Sequence, residues 1–167
     1  ENWGRPKEEV DKIMDLLHKF LIKYEKTLLK NEIRLRVSGD KTALSKELVL
    51  QINSVEEKTK EFEKVLNIAI NYGGKQEILS AVNKALKSGK SEVLEEEFES
   101  YLYTQGLPPI DLVVRTSGEQ RISNFFLWQS AYAELYFTNA LWPDFDEVEL
   151  EKAFSWYESR SRRFGKI

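Results

Sequence analysis

A polar loop that directly follows an apolar run contains the side chains best suited to bind a phosphate group. Residues 110–114 (Ile-Asp-Leu-Val-Val) are typical of a buried strand, and Arg115, Arg121 and Ser123 come next along the chain. Ligands of open α/β sheets bind beyond the carboxyl ends of strands, and the planar guanidinium matches phosphate oxygens. The pattern predicts an anion site at this edge. It is equally typical of a surface loop whose arginines pair with acids such as Glu119.

A single carboxylate stands in an apolar and aromatic segment further along the chain. Glu134 lies within residues 131–137, Ala-Tyr-Ala-Glu-Leu-Tyr-Phe. A buried carboxylate is costly unless it is paired or binds a metal. Mg²⁺ takes one or two protein carboxylates together with substrate phosphates and water. Two interpretations therefore stand side by side: a Mg²⁺ ligand, or a salt bridge to Arg115 or Arg121.

The composition excludes several classes of protein. The 167 residues include no cysteine and only one histidine, His18, so thiolate metal sites and a His-based triad are excluded. A net charge of −3 argues against a general nucleic-acid binder. The turn Asn71-Tyr72-Gly73-Gly74 lacks both the dinucleotide-binding glycine pattern and the phosphate-loop pattern. No apolar run approaches the ~20 residues of a membrane span, and no signal peptide is visible, so a soluble cytoplasmic protein is expected.

Strands alternate with helices along the chain. Strands are predicted at 33–37, 65–70, 110–114 and 134–137, and helices at 6–28, 45–64, 75–86, 91–103, 125–128 and 146–162. Val10, Leu17, Leu21 and Leu28 follow helical spacing in the first of these, which indicates a core-facing stripe. The alternation predicts an α/β fold with a mostly parallel central sheet flanked by helices, in a single domain over residues 1–167.

Several segments in order resemble the cis-prenyltransferase family, and the bacterial undecaprenyl diphosphate synthases within it. The matching segments are Glu1-Asn2-Trp3-x-Arg5-Pro6, Asn71-Tyr72-Gly73-Gly74-Lys75-x-Glu77-Ile78, Arg115-Thr116-Ser117-Gly118-Glu119-x-Arg121-Ile122-Ser123-Asn124-Phe125, Trp128-Gln129-x-Ala131-Tyr132-x-Glu134-Leu135, Leu141-Trp142-Pro143-Asp144-Phe145 and Arg163-Phe164-Gly165. The block from Arg115 to Phe145 is the most specific.

The resemblance implies a Mg²⁺-dependent condensation of isopentenyl diphosphate onto farnesyl diphosphate, with each new double bond cis. The product would be undecaprenyl diphosphate, the precursor of the lipid carrier for peptidoglycan and cell-wall biogenesis. It further implies a homodimer in the cytoplasm, with peripheral membrane contact for product release. Which residues line the tunnel for the growing hydrocarbon, and the product length that depends on it, do not follow from the sequence.

The resemblance also implies roles for individual residues. Arg115, Arg121 and Ser123 are expected to hold the diphosphate of isopentenyl diphosphate, and Glu134 to contribute to the Mg²⁺ site. Near the start of the chain, Asn2 is the expected catalytic residue, with Trp3 and Arg5 beside the substrates. The C-terminal Arg-x-Gly, here Arg163 and Gly165, is expected to reach the active site of the partner in the dimer.

One part of the family's pattern is absent from this sequence. The block Asp-Gly-Asn-Gly-Arg-Trp-Ala, which carries the principal Mg²⁺-binding aspartate, should lie just before Glu1. The chain is therefore expected to be about the C-terminal two-thirds of such an enzyme and to lack part of the active site.

Other classes of function fit this sequence less well. A non-catalytic partner subunit of a cis-prenyltransferase dimer would keep the fold and the Arg-x-Gly but tend to lose site residues, and the expected ones are present here. A trans-type prenyltransferase would need Asp-Asp-x-x-Asp motifs on an all-helical fold, and this sequence has neither. A generic phosphate-binding module would not explain the aromatic-rich block.

Overall fold

The computed structural model describes residues 6–161. Five α-helices and four strands follow one another in these residues as α1 (Lys7–Lys30), β1 (Ile33–Ser38), α2 (Lys46–Thr59), β2 (Lys64–Ala69), α3 (Gly74–Lys87), α4 (Glu95–Glu99), β3 (Leu112–Arg115), β4 (Glu134–Phe137) and α5 (Glu147–Glu158). Short 3₁₀ turns at Lys41–Ala43 and Trp142–Asp144 complete the order.

The strands pair in parallel, which confirms the predicted α/β class. β1 pairs with β2 from Ile33 opposite Lys64 to Ser38 opposite Ala69. β3 pairs with β4 from Leu112 opposite Glu134 to Arg115 opposite Phe137. The chain divides into two compact units, the first reaching Glu77 and including Leu102–Thr104, the second holding Ile78–Tyr101 and everything from Gln105 on. The single domain proposed from the sequence therefore stays a prediction.

The core of the first unit lies where α1 and α2 cover the β1–β2 pair. Leu21, Leu35, Ile52 and Val55 are fully buried there. Leu21 and Leu28 belong to the stripe predicted on α1 and pack in this cluster, while Leu17 is partly buried against it. The helical spacing of these apolar residues therefore fixes the face of α1 that meets the sheet.

Side chains of α2 cap backbone amides of β1. Thr59 Oγ accepts a hydrogen bond from the Leu35 amide at 3.0 Å and donates one to the Val55 carbonyl at 2.8 Å. Glu56 accepts from the Val37 amide at 2.8 Å. Because buried amides are costly when unpaired, these contacts fix α2 against the strand.

Four predicted helices differ in the structure. The last one, predicted over 146–162, ends at Glu158, and Ser159 is its C-cap. The acidic helix expected at 91–103 is only the five-residue α4, in which Glu95 and Glu99 are four positions apart on one face and repel each other. The helical segment expected at 125–128 is a series of turns, because Phe126 adopts a left-handed φ of 42°. α2 ends at Thr59 rather than near residue 64, since β2 already begins at Lys64.

Asp40 gives a pH-dependent contribution to stability just after β1. Hydrogen bonds from the Thr42 hydroxyl and then the Thr42 amide hold the pKa of its carboxyl below the usual value. A carboxyl with a lowered pKa stabilises the folded state above its unfolded pKa, and this contribution is lost as the pH falls through the folded pKa. We therefore expect Asp40→Ala to destabilise the protein at pH 7 and to do so progressively less at pH values below about 3.9. Urea unfolding of both proteins across this range measures the difference, and a constant difference would contradict the assignment.

Candidate functional site

Arg115 lies at the carboxyl end of β3, as the sequence predicts. It is opposite Phe137 in the strand register, and its carbonyl accepts a hydrogen bond from the Thr138 amide at 2.9 Å. The side chain is half-buried. Within residues 6–161, its guanidinium has no hydrogen bond or ion pair. A half-buried cation without a protein partner in this part of the chain is suited to an external anion.

The loop after β3 starts with fixed backbone contacts. The Ser117 amide donates to the Ala140 carbonyl at 2.8 Å, and the Gly118 amide donates to the Thr138 carbonyl at 2.9 Å. Gly118 has a φ of +70°, and a Cβ there would lie 2.9 Å from the Asn139 side-chain oxygen. The positive φ favours glycine here, and a Cβ would also displace the end of the Asn139 side chain.

Arg121 lies further along the loop and forms an ion pair with Glu119. The sequence allowed the arginines of this loop to pair with Glu119. Arg121 does so, and Arg115 does not. Both side chains are largely exposed, at 59% and 44%. Exposed ion pairs of this kind contribute about 0–1 kcal/mol, so an external anion can readily replace Glu119 as the partner of Arg121.

The middle of the loop holds residues in left-handed backbone conformations. Ser123 has a φ of 47° and Asn124 a φ of 60°, and Ser123 is exposed. Such conformations cost about 1–3 kcal/mol at residues other than glycine and cluster at ligand-binding sites. The strain agrees with a binding role for this loop.

Glu134 begins β4 and pairs with a residue that the sequence did not indicate. Its carboxylate accepts a hydrogen bond from Arg160 Nε at 3.2 Å, and the Arg160 guanidinium lies over the Trp156 ring. The partner is therefore neither Arg115 nor Arg121. In the strand register Glu134 is opposite Leu112, three residues before Arg115. That corresponds to roughly 10 Å along the strand, so β3 and β4 do not bring these two side chains together directly.

The donor set around Glu134 limits how a metal ion can be held. Among residues 6–161 there is no group of three or more His, Cys, Asp or Glu side chains that could bind a metal. Glu134 supplies one carboxylate, 21% exposed, with Arg160 as its counter-ion. One accessible carboxylate suits a Mg²⁺ ion bound mainly by substrate phosphates and water, for which a single protein ligand is sufficient.

Five predicted site residues lie outside the described residues. They are Asn2, Trp3 and Arg5 at the start of the chain, and Arg163 and Gly165 at its end. Their roles stay predictions.

The loops after β1 and β2 meet at the carboxyl edge of the first strand pair. Asn71 Nδ2 donates to the Asp40 carbonyl at 2.7 Å, and the Asp40 amide donates to the Asn71 carbonyl at 3.2 Å. Gly39, with a φ of +129°, fits against the Ile70 carbonyl, where a Cβ would come within 1.9 Å of the oxygen. The 71–74 turn (Asn71, Tyr72, Gly73 and Gly74) is thereby fixed against the end of β1.

A buried carboxylate lies behind this turn. It belongs to the sequence motif that contains the turn, but the sequence did not indicate a role for it. Glu77, in the first turn of α3, is only 1% exposed. It accepts hydrogen bonds from the Tyr72 hydroxyl and, at 2.8 Å, from the Tyr103 amide. An acid close behind a glycine turn at a helix start was the available signal, but its second partner, 26 residues away in sequence, could not be read from the pattern.

No helix within residues 6–161 is long and apolar enough to cross a membrane.

Residues 1–165 match the family described as "Putative undecaprenyl diphosphate synthase". The isoprenyl transferase of Fusobacterium nucleatum is 51% identical over 168 residues, covering 100% of this chain and 73% of that protein. The ditrans,polycis-undecaprenyl-diphosphate synthase of Haemophilus influenzae, specific for (2E,6E)-farnesyl diphosphate, is 45% identical, covering 99% and 72%.

Solved structures agree with these sequence matches. The crystal structure of a probable undecaprenyl diphosphate synthase from Campylobacter jejuni is 37% identical with a TM-score of 0.90, over 99% of this chain and 78% of that one. Lavandulyl diphosphate synthase from Lavandula x intermedia, in complex with dimethylallyl diphosphate, is 36% identical with a TM-score of 0.92, over 99% and 75%. The resemblance found in the sequence is confirmed: the chain belongs to the undecaprenyl diphosphate synthase family of prenyltransferases.

Proposed function

We propose that this chain belongs to an enzyme that condenses isopentenyl diphosphate onto farnesyl diphosphate, with cis double bonds, to make undecaprenyl diphosphate. The names of the relatives support the reaction, and the observation that carries the site is the half-buried Arg115 without a protein partner among residues 6–161. Arg121 and Ser123 share its loop and supply a second guanidinium and a hydroxyl donor. No observation favours a non-catalytic partner subunit.

In this proposal the loop binds and orients the diphosphate of isopentenyl diphosphate. The fork of Arg115 and the exchangeable fork of Arg121 bind its oxygens, which aims the alkene at the allylic carbon of farnesyl diphosphate. The alkene attacks that carbon, the allylic C–O bond breaks, and diphosphate leaves with the bonding electrons. A proton is then lost from the isopentenyl unit. The residues thus act by orientation and by stabilising negative charge.

Mg²⁺ is part of the proposal, with Glu134 as its one ligand among the described residues. When bound, the ion would neutralise negative charge on diphosphate oxygens. Glu134 forms an ion pair with Arg160, so on binding the ion it would exchange one cationic partner for another.

The proposal extends to the residues at both ends of the chain. Asn2 would act as the catalytic residue with Trp3 and Arg5 beside the substrates, and Arg163 and Gly165 would complete the site of the partner in a homodimer. We also propose a cytoplasmic location, with peripheral membrane contact when the long product is released.

A groove along α1 supports a place for the hydrocarbon chain. It has a volume of about 530 Å³ and is lined by Leu16, Leu17, Phe20, Tyr24 and Ile68, with Lys19 and Lys23 beside them. Its size and apolar lining are typical of sites for small apolar ligands. Leu16 is 65% exposed, so its side chain is available to such a ligand.

Glu134→Gln is expected to raise the Mg²⁺ concentration needed for half-maximal activity, because the amide removes the negative charge that this residue would offer to the ion. We expect an increase of roughly tenfold, the low end of the range for losing a charged contact. Initial rates against Mg²⁺ concentration, in the protein as its gene encodes it, measure the change. Arg160→Gln is the matched control, because it breaks the same ion pair but keeps the carboxylate. If both variants shifted the titration equally, Glu134 would act through the ion pair and not as a metal ligand.

The reaction itself is tested with labelled isopentenyl diphosphate and unlabelled farnesyl diphosphate. Products of increasing chain length ending at the undecaprenyl compound would support the proposal. Binding of the substrates without any elongation would support the partner-subunit alternative instead.

A further inference from the structure

We infer that Thr138 is a positioning residue for the loop after β3: its hydroxyl fixes the 138–140 turn (Thr138, Asn139 and Ala140), and this turn fixes the backbone that carries Arg115. The role rests on the proposed function, because it concerns the loop proposed to bind isopentenyl diphosphate. Thr138 would act through the backbone of that loop rather than by contact with the substrate. The contacts that support this role lie within the second unit.

Backbone hydrogen bonds join this turn to the start of the loop at three points. The Thr138 amide donates to the Arg115 carbonyl at 2.9 Å, and the Thr138 carbonyl accepts from the Gly118 amide at 2.9 Å. The Ser117 amide donates to the Ala140 carbonyl at 2.8 Å. Because hydrogen bonds depend on direction as well as distance, the shape of the turn sets the path of the chain directly after β3.

The hydroxyl of Thr138 makes two further hydrogen bonds. It accepts from the Ala140 amide at 3.2 Å, two residues further along, which closes the turn. It donates to the Glu149 carboxylate at 3.3 Å, in the first turn of α5. The other oxygen of Glu149 pairs with Lys152 Nζ at 2.5 Å, so the carboxylate is itself held in place. One hydroxyl therefore closes the turn and ties it to α5.

Position matters here because Arg115 is proposed to bind a diphosphate through the planar fork of its guanidinium. Arg115 is the last residue of β3, so its side chain follows any rotation of the backbone where the strand ends. A fork meets two phosphate oxygens at once only in the right orientation, and small displacements weaken such contacts. Gly118 has no side chain that could pack, so the hydrogen bond from its amide to the turn constrains the loop there.

Substitutions can separate the hydroxyl from the rest of the Thr138 side chain. Thr138→Val keeps the volume and the branching at Cβ, but it leaves the Ala140 amide without its acceptor. Thr138→Ser keeps the hydroxyl and loses only a methyl group. Glu149→Ala removes the second partner of the hydroxyl and leaves Thr138 unchanged.

The test measures steady-state kinetics for each substrate separately, in the protein as its gene encodes it. We expect Thr138→Val to raise the KM for isopentenyl diphosphate by about threefold to tenfold, the scale for losing one hydrogen bond, with kcat changed by less than about twofold. The KM for farnesyl diphosphate should stay the same, since the loop is proposed to bind the other substrate. Glu149→Ala should shift the same KM by a smaller factor, and Thr138→Ser should behave like the wild type. Amide hydrogen exchange at Gly118 should be faster in Thr138→Val.

Thr59→Val is the matched control, because it removes a threonine hydroxyl that also accepts from a backbone amide, that of Leu35 at 3.0 Å, but in the first unit. It should lower the melting temperature and leave both KM values unchanged. If Thr138→Val did the same, or raised both KM values equally, Thr138 would be only a structural residue and the inference would be wrong. A Thr138→Ser variant as impaired as Thr138→Val would also contradict a role for the hydroxyl.

The same experiment separates this role from the proposed function. A wild-type protein that neither binds nor converts isopentenyl diphosphate would contradict the proposed function as well. An active wild type with an unchanged KM in Thr138→Val would contradict the role of Thr138 alone.

Discussion

Replacing Arg115 with alanine is expected to lower kcat/KM for isopentenyl diphosphate by about 30- to 1,000-fold, equal to about 2–4 kcal/mol, the scale for removing a charged donor from an anion. The reason is its position: a half-buried guanidinium at the end of β3 that no other described residue neutralises. Arg121→Ala should give a loss within the same range. It should fall toward the lower end, because Arg121 is exposed and must first leave Glu119.

A matched arginine separates this effect from a general loss of charge. Arg34 is also half-buried and lies in a strand, but it belongs to β1, away from the carboxyl end of that strand. Arg34→Ala should change kcat/KM by less than about twofold. Arg115→Lys should recover only part of the activity, because an ammonium lacks the planar fork. Wild-type turnover by both Arg115→Ala and Arg121→Ala would contradict the assigned roles.

Gly39→Ala is expected to destabilise the first unit strongly, by about 3–5 kcal/mol in the free energy of unfolding. The added Cβ would lie 1.9 Å from the Ile70 carbonyl oxygen and 3.1 Å from the Asn71 carbonyl oxygen, and both are backbone atoms. Neither can move without separating the loops after β1 and β2. A φ of +129° adds strain for any residue other than glycine.

Gly89→Ala isolates the contribution of the clash. Gly89 also has a positive φ, +84°, but nothing lies within 4 Å of a Cβ built there. It should therefore cost only the backbone strain, about 1–2 kcal/mol. Urea unfolding of the two variants compares them directly. Equal destabilisation would mean that the first strand pair tolerates a wider separation than the contact at Ile70 implies.

The features that were predicted from the sequence are those set by local pattern. The strand that ends at Arg115 follows from an apolar run bounded by polar residues, and the parallel pairing follows from the alternation of strands and helices. The last predicted helix starts where the sequence places it, because Asp146 caps α5 by accepting a hydrogen bond from the Glu149 amide at 3.0 Å. In each case the signal lies within a few residues of the feature.

The features that were not predicted depend on contacts between distant residues. Glu134 was expected to pair with Arg115 or Arg121 if it did not bind a metal, yet its partner Arg160 is 26 residues further along the chain. The left-handed backbone at Phe126, which replaces a predicted helical segment, belongs to a side chain buried to 7% exposure. Tertiary burial overrides helical preference in such a segment, and no periodicity within it could have revealed this.

The pairing of Glu134 with Arg160 changes how its predicted role should be viewed. The strand register places it near the start of the β3–β4 pair, whereas Arg115 lies at the opposite end. A diphosphate group that contacts a metal ion at Glu134 would thus have to be held by the loop between the two strands and not by Arg115. Comparing Glu134→Gln with Arg160→Gln therefore tests the location of the ion as well as its ligand.

A crystal structure of the protein with isopentenyl diphosphate tests the central claim most directly. We expect the diphosphate oxygens within hydrogen-bonding distance of the Arg115 and Arg121 guanidinium groups and of the Ser123 hydroxyl, with Arg121 released from Glu119. Isopentenyl diphosphate bound elsewhere, with Arg121 still paired with Glu119, would contradict the account.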